Sequence, residues 1–369
     1  MSNPLLASHP ALQNVQTLLA ISSCKGGVGK STTAVNLAFT LAASGKKVGI
    51  FDADIYGPSI PTMIKPEDTS VFQENQLITP IEYEGVKMMS FGWIPQSNNQ
   101  SGPAIMRGAM VSQIINQLLT GVNWGELDYL VIDFPPGTGD IQLTLCQLVP
   151  ITAAVIATTP QQLSLVDVVK GIQMFDKLKV PTIAVVENMS YYECKKCDER
   201  EYLFGQGARQ QLIDTYGYKN TFEIPIQKDV SLSGDSGTPH VLAFPESSTS
   251  KIFQSIAHDV ITEVDAIHTG ITTTPTLTYN VGQSMILTLP DGTEHEFSPA
   301  ALRRSCRCAN CVDEFTGEAK IKSDDIPEDI YPTEITPMGN YACAVKWSVM
   351  DCASIFPFER IMAEIVNAS

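Results

Sequence analysis

Residues 24–32 read Cys-Lys-Gly-Gly-Val-Gly-Lys-Ser-Thr, between an apolar strand-like run, Val15–Ser23, and an apolar helical pattern, Thr33–Ala43, closed by Gly45. Strand, glycine-rich loop and helix in that order restrict the chain to a sheet with helical crossovers and an anion-binding turn at the strand's carboxyl end. Gly26, Gly27 and Gly29 let the backbone adopt positive φ and turn its N–H groups toward one point, where no side chain blocks a triphosphate. Lys30 adds a cation for the β- and γ-phosphates, and the Ser31 hydroxyl is placed to ligate Mg²⁺. The helix opening at Ser31 aims its positive dipole end at the same anion. Val28 and Thr32 complete the expected nucleotide loop. Cys24, at the loop's first position, is read as a small filler.

The 369 residues are enough for two domains, or one large and one small. A net charge of −16 disfavours nonspecific nucleic-acid binding and docking on anionic lipid. There is no apolar run of about 18 residues, and the first twenty residues hold no Lys or Arg, so no membrane span, secretory signal or transit peptide is expected. Nine cysteines, an odd number, point to free thiols and metal sites in a reducing, cytoplasmic compartment.

From Val15 to His268, strand patterns at Lys47–Phe51, Val86–Phe91, Leu127–Asp133, Ala153–Thr158, Thr182–Asn188 and Phe222–Ile226 alternate with helical ones. The helices are expected near Ala109–Thr120, Leu163–Leu178, Ala208–Thr215 and Ser250–Ile267. Near-continuous apolar strands with helical crossovers predict an α/β fold, a doubly wound parallel sheet over 15–268 behind an N-terminal extension, 1–14. A threonine-rich linker, 269–275, leads to a second, small α+β domain over 276–369, with strands at Met285–Leu289, Glu294–Phe297 and Tyr341–Trp347.

Carboxylates at the carboxyl ends of strands beside such a loop can hold Mg²⁺-bound water and orient an attacking water. Asp52, Asp54 and Asp133 occupy such places, and Gly137, in the turn after Asp133, is expected to offer its N–H to the γ-phosphate. Taken singly each aspartate reads as a cap or turn residue; three in register with the loop do not. The early Lys25 makes the chain resemble the deviant Walker ATPases. That resemblance implies a homodimer with two ATP sites between subunits, Lys25 crossing to the partner's nucleotide. It further implies that Asp52–Ser59 is a switch in which Asp54 positions water, and that Asn188 reads the adenine edge.

Cys194 and Cys197 form a Cys-x-x-Cys pair directly after the Thr182–Asn188 strand, half of a four-sulfur shell for an iron–sulfur cluster or zinc. A redox dithiol is the other reading of the spacing. In a symmetric dimer the same pair from each subunit completes the shell on the two-fold axis. With Met106-Arg107-Gly108, Trp124 through Asp140, Glu187-Asn188-Met189, Phe204-Gly205 and Gly234-Asp235-Ser236-Gly237-Thr238-Pro239, residues 15–268 resemble the Mrp/ApbC family of iron–sulfur cluster carriers. The resemblance implies a slow ATPase that receives a [4Fe–4S] cluster from an upstream donor, holds it at Cys194 and Cys197, and passes it to apo-protein clients. A positioning or partition ATPase of the same fold and an ATP-driven iron–sulfur reductase are the alternatives. The first needs a basic face or tail, and the last nine residues, 361–369, contain no Lys or Arg.

Cys306, Cys308 and Cys311 place three thiols in six residues beside Arg303, Arg304 and Arg307, which favours a metal over packing. Cys343 and Cys146 read as buried fillers. Residues 276–362 are similar to the small domain that begins γ-butyrobetaine hydroxylase, and the similarity implies structural zinc. The histidine of that pattern is missing; Val349-Met350-Asp351 stands in its place. Cys352 is expected to close the shell, with Asp351 as the alternative. The two-part layout resembles that of the plastid high-chlorophyll-fluorescence cluster carriers, whose small N-terminal domain is not expected here.

Overall fold

The computed structural model describes residues 10–366 apart from 75–76, 95–107, 138, 195, 198, 207, 219, 271–273, 281, 283, 309, 313–317, 339–340 and 350–353. The expectations for Met106-Arg107, for Asp351 and Cys352, and for most of the N-terminal extension lie outside the described residues. The chain divides into two units, Met1–Gln206 with Phe222–Val264, and Gly207–Thr221 with Asp265–Ser369.

In chain order the first unit carries Val15–Ser22 (β1), Lys30–Ala43 (α1), Val48–Asp52 (β2), Ile81–Tyr83 (β3), Val86–Ser90 (β4), Gly108–Gly121 (α2) and Leu127–Asp133 (β5). Asp140–Leu148 (α3), Ala153–Thr158 (β6), Gln162–Lys177 (α4), Thr182–Asn188 (β7), and a short hairpin of Tyr192–Glu193 (β8) and Arg200–Glu201 (β9) follow. Ala208–Tyr216 (α5) groups with the second unit; Thr221–Ile224 (β10) leads back, and Lys228–Ser236 (α6) and Ser248–Thr269 (α7) come next.

Eight strands form one sheet in the order β10-β7-β6-β1-β5-β2-β4-β3. β1 pairs in parallel with β5 and β6, β2 with β4 and β5, and β6 with β7. Burial of nearly every residue of β1, β2, β5 and β6 is what the apolar runs require of strands covered on both faces. Phe39 of α1 and Phe253, Ile256 and Val260 of α7 belong to the main core cluster. Elsewhere Trp124 stacks edge-on against Phe51, and its indole N–H donates to the Leu119 carbonyl at 2.9 Å.

The predicted strands and helices of this unit appear within a few residues of their expected ends. β3 was not foreseen. It is an antiparallel edge strand of three residues whose turn puts Glu84 and Gly85 at φ 48° and 75°, the left-handed pair a two-residue hairpin needs. Nor were α3 and α6, each nine residues long, too short for a clear helical period.

The second unit adds Thr276–Asn280 (β11), Ser284–Thr288 (β12), Glu294–Phe297 (β13), Pro299–Arg304 (α8), Pro332–Met338 (β14), Ala342–Trp347 (β15) and Ser354–Pro357 (β16). They make two antiparallel three-stranded sheets, β11-β12-β13 and β14-β15-β16. Met285, Leu287, Leu302, Trp347, Phe356, Cys306 and Cys311 share one buried core. The helix α5, expected in the first domain, groups by its contacts with this unit: Tyr218 beyond its end lies 3.6 Å, ring centre to ring centre, from Tyr341, and a Cβ at Gly217 would meet Pro357 at 2.8 Å. No described helix is long and apolar enough to cross a membrane.

Phe253 is fully buried at the heart of the first unit's core. Phe253→Ala should lower the unfolding free energy by about 3–5 kcal/mol, read from urea unfolding at constant m-value.

Candidate functional site

Strands β1, β2, β5 and β7 end on one side of the sheet, and their carboxyl ends build a cleft of about 720 Å³. The loop between β1 and α1 forms its floor. Gly27 and Gly29 sit at φ 77° and 88°, and the left-handed Gly29 caps α1, which therefore starts at Lys30 rather than Ser31. Lys25, exposed, Ser31 and Thr32 face the cleft with Gly26, Gly27, Gly29 and Lys30. Val28 is buried, and its carbonyl accepts from Asn188 Nδ2 at 3.0 Å. A Cβ on Gly29 would lie 2.1 Å from that Nδ2, so the phosphate loop and the end of β7 meet only because residue 29 has no side chain.

Lys30 Nζ lies 2.6 Å from Asp133 Oδ1, with side-chain exposures of 7% and 0%. Burial raises the Asp133 carboxyl, and the Lys30 ammonium opposes that rise. The other Asp133 oxygen, Oδ2, is buried with no hydrogen-bond partner among the described residues. Such an orphan beside a phosphate loop suits a water on Mg²⁺, and the Ser31 hydroxyl lining the same cleft is a donor that would fit that ion.

Asp52 is fully buried beside Asp133. Its Oδ2 accepts from the N–H groups of Ser59 and Ile60, at 3.1 and 3.2 Å, and from the Ser90 hydroxyl at 3.0 Å; Oδ1 accepts from Asp54 N–H at 3.1 Å. Asp52 thus holds the shape of the 52–60 segment that presents Asp54 to the cleft. Both of its oxygens accept from the chain in this structural duty. Burial, then repulsion from Asp133, pushes its carboxyl up to about 7.

Gly137 departs from expectation. Its N–H donates to the Ser23 carbonyl at 2.9 Å and is not turned toward the phosphate loop's centre, because the chain leaving β5 continues to bond to the end of β1. Cys24 is a filler: burial pushes its thiol up to about 11, and its sulfur would sit 2.3 Å from a Cβ at Gly171 of α4.

Sequence reasoning missed the far wall of the cleft, formed by Pro225–Gln227 and by Val230, Ser231, Gly234 and Asp235 of α6. The Gly234–Pro239 motif was its available signal. Gly237 ends α6 in the left-handed region, and its carbonyl accepts from Lys65 N–H at 2.9 Å while Lys65 Nζ donates to the Asp235 carbonyl at 3.0 Å. This clasp ties α6 to the segment that Asp52 shapes.

Beyond Asn188, Met189 takes φ 57°, an unusual conformation for a long side chain and one that marks functional turns. The kink is held by Ser190, whose N–H donates to the Ile224 carbonyl at 2.9 Å and whose hydroxyl donates to Glu187. The chain then enters the β8-β9 hairpin. Tyr191 anchors it, buried between Tyr202 and the Arg200 guanidinium. Cys194 and Cys197 stand at the hairpin's tip, half-buried and exposed, in a turn closed by Cys197 N–H on the Cys194 carbonyl at 3.3 Å. In the second unit the Cys306, Cys308 and Cys311 sulfurs all lie within 4.8 Å of one another. Burial pushes the thiols of Cys146 and Cys343 up to about 12, as expected of fillers.

Gly29→Ala should weaken nucleotide binding at least about tenfold while leaving the fold intact, checked by titration with a fluorescent ATP analogue and by circular dichroism. Between about pH 4 and pH 7 the folded chain keeps a proton on Asp52 that the unfolded chain has released, so this contribution to stability is lost as pH rises through 7. The stability advantage of the wild type over Asp52→Asn should therefore shrink across that window in urea unfolding series.

Comparison with known proteins gives this geometry a family. Residues 14–261 match the family described as NUBPL iron-transfer P-loop NTPase, and residues 279–362 match the γ-butyrobetaine hydroxylase-like N-terminal domain. The chain is 52% identical over 340 residues to the chloroplastic Fe-S cluster assembly factor HCF101 of Oryza sativa subsp. japonica, covering 91% of this chain and 62% of that protein. It thus spans less than two thirds of that relative. It is 46% identical over 253 residues to the iron-sulfur cluster carrier protein of Pseudomonas fragi, 68% of this chain and 87% of that one. A solved nucleotide-binding protein from Archaeoglobus fulgidus, in complex with ADP, superposes with a TM-score of 0.58 at 37% identity, over 68% of this chain and 96% of its own. The chain belongs to the NUBPL-type iron-transfer family of P-loop NTPases and carries a γ-butyrobetaine hydroxylase-like domain behind the NTPase fold.

Proposed function

We propose that this protein is an ATP-dependent carrier of [4Fe–4S] clusters that works as a homodimer. One observation carries the reading: β7 ends in Asn188, which bonds the phosphate loop, and six residues later the same chain presents Cys194 at the tip of the hairpin. Nucleotide site and cluster site are therefore ends of one short, kinked segment, held at Met189 and Ser190. Two relatives, at 52% and 46% identity, are named as a cluster assembly factor and a cluster carrier.

In this reading Lys30, Ser31 and the loop amides hold ATP with Mg²⁺, Asp133 takes a metal-bound water, and Asp54 orients the attacking water. Asn188 contacts the adenine or reports on the loop beneath it. Lys25, exposed at the cleft's rim, reaches the partner's nucleotide. Each subunit supplies Cys194 and Cys197 to a cluster on the two-fold axis, received from a donor and released to apo-protein clients. Turnover is slow until a client completes the site. In the second unit, Cys306, Cys308 and Cys311 hold zinc. Sulfurs about 3.8 Å apart are what tetrahedral Zn–S bonds require, and the 4.8 Å limit with a Cys308–Cys311 separation of 3.5 Å fits.

Anaerobically purified or reconstituted protein should contain about two irons and two acid-labile sulfides per chain, one four-iron cluster per dimer. Cys194→Ala should lose both and keep its ATP affinity, and Lys30→Ala should lose ATP binding. Full cluster retention in Cys194→Ala, or zinc without sulfide after reconstitution, overturns the carrier assignment.

A further inference from the structure

The helix α8 ends on two arginines with different surroundings. Arg304 reaches Glu328 and the Ile326 carbonyl near the surface. Arg303 turns inward and is 1% exposed, among the largest fully buried side chains of the chain. Its Nη1 donates to Cys311 Sγ at 3.2 Å. Cys306, whose N–H donates to the Arg303 carbonyl at 3.2 Å, places its own sulfur 3.4 Å from the Ser354 hydroxyl. A cavity of about 210 Å³ adjoins the group, lined by Arg303, Arg307, Cys306, Cys311 and Glu364 among others.

A guanidinium stays charged at any pH a protein tolerates, and its desolvation is costly unless an anion lies against it. A neutral thiol is a weak acceptor, whereas a thiolate is a strong one. Three thiolates around a divalent cation leave a net negative charge, larger again if the fourth ligand is anionic. That charge would lie in an apolar core with Met285, Leu302 and Phe356. A buried cation bonded to one of the sulfurs is the complement such a site needs.

We propose that Arg303 is a positioning residue for a divalent-metal thiolate site at Cys306, Cys308 and Cys311, hydrogen-bonding the Cys311 sulfur and offsetting the negative charge of the loaded site. The proposal rests on the metal reading of this trio. A donor to a ligating sulfur withdraws electron density from it. By stabilising the thiolate against protonation it slows loss of the metal to a chelator, and by lowering the sulfur lone pairs in energy it moves the sulfur-to-metal charge-transfer absorption to shorter wavelength.

The test uses the full chain with Cys194→Ala and Cys197→Ala, so that the trio is the thiol cluster under observation, loaded separately with Zn²⁺ and Co²⁺. Adding Arg303→Met should speed zinc release to a colorimetric chelator by about tenfold or more and shift the cobalt–thiolate band to longer wavelength. ATP affinity should not change. Arg303→Lys, which keeps the charge but not the planar fork, should fall between and serves where Arg303→Met does not fold. Folded variants with the band and release rate of their parent overturn the role of Arg303. A parent that binds neither metal overturns the metal reading itself, and a parent that binds both keeps that reading whatever the Arg303 variants do.

Discussion

The ion pair between Lys30 and Asp133 organises the nucleotide-binding unit. It joins the first residue of α1 to the last residue of β5 at 2.6 Å, with both side chains buried at the floor of the cleft. Leaving either charge there without the other would be costly, because each offsets most of the other's desolvation. The pair fixes where the helix begins relative to the sheet, and hence where the loop amides point. A triphosphate held by the loop as proposed would compete for the same ammonium. The orphaned Oδ2 marks where the carboxylate has capacity to spare.

Around this pair, contacts run outward in two directions. One passes through Asp52, which gathers the amides of Asp54, Ser59 and Ile60, and ends in the Lys65 clasp on Gly237. The other passes from Val28 to Asn188, around the left-handed Met189, and into the hairpin that carries Cys194 and Cys197. The cleft is thus enclosed by segments that bond to the phosphate loop or to the aspartates beside it, and by α6, which is clasped by Lys65. A change at the phosphates has a short physical path to the cysteine tip, through Asn188 and the left-handed Met189. The second unit repeats the logic on a smaller scale, since its core closes around a cysteine trio and a buried arginine rather than around aliphatic side chains alone.

Much of this was legible in the chain because the signals were local. The phosphate loop needs glycines at fixed offsets, and buried parallel strands need continuous apolar runs, so β1, α1, β5, β6 and β7 could be placed almost to the residue. Short elements escaped: β3 depends on pairing with β4, and α6 on packing against the 60–65 segment, neither of which leaves a periodic trace. The expected Gly137 contact failed because its N–H is used by the Ser23 carbonyl, a partner 114 positions away in sequence. The grouping of α5 with the second unit has a similar origin, since Tyr218 finds Tyr341 across more than a hundred residues.

The sequence by itself determined what the site can bind. The residue types at 24–32, at the strand-end aspartates and at the two cysteine clusters set which donor atoms are offered, because phosphates and hard or thiophilic metals each demand particular atoms. Only the tertiary structure decided which of those atoms are available. It assigned Asp52 to holding a loop, left Asp133 Oδ2 open, brought Asn188 against Gly29, and buried Arg303 beside Cys311. Those outcomes depend on burial and on contacts between distant segments, and neither is a property of a residue's neighbours along the chain.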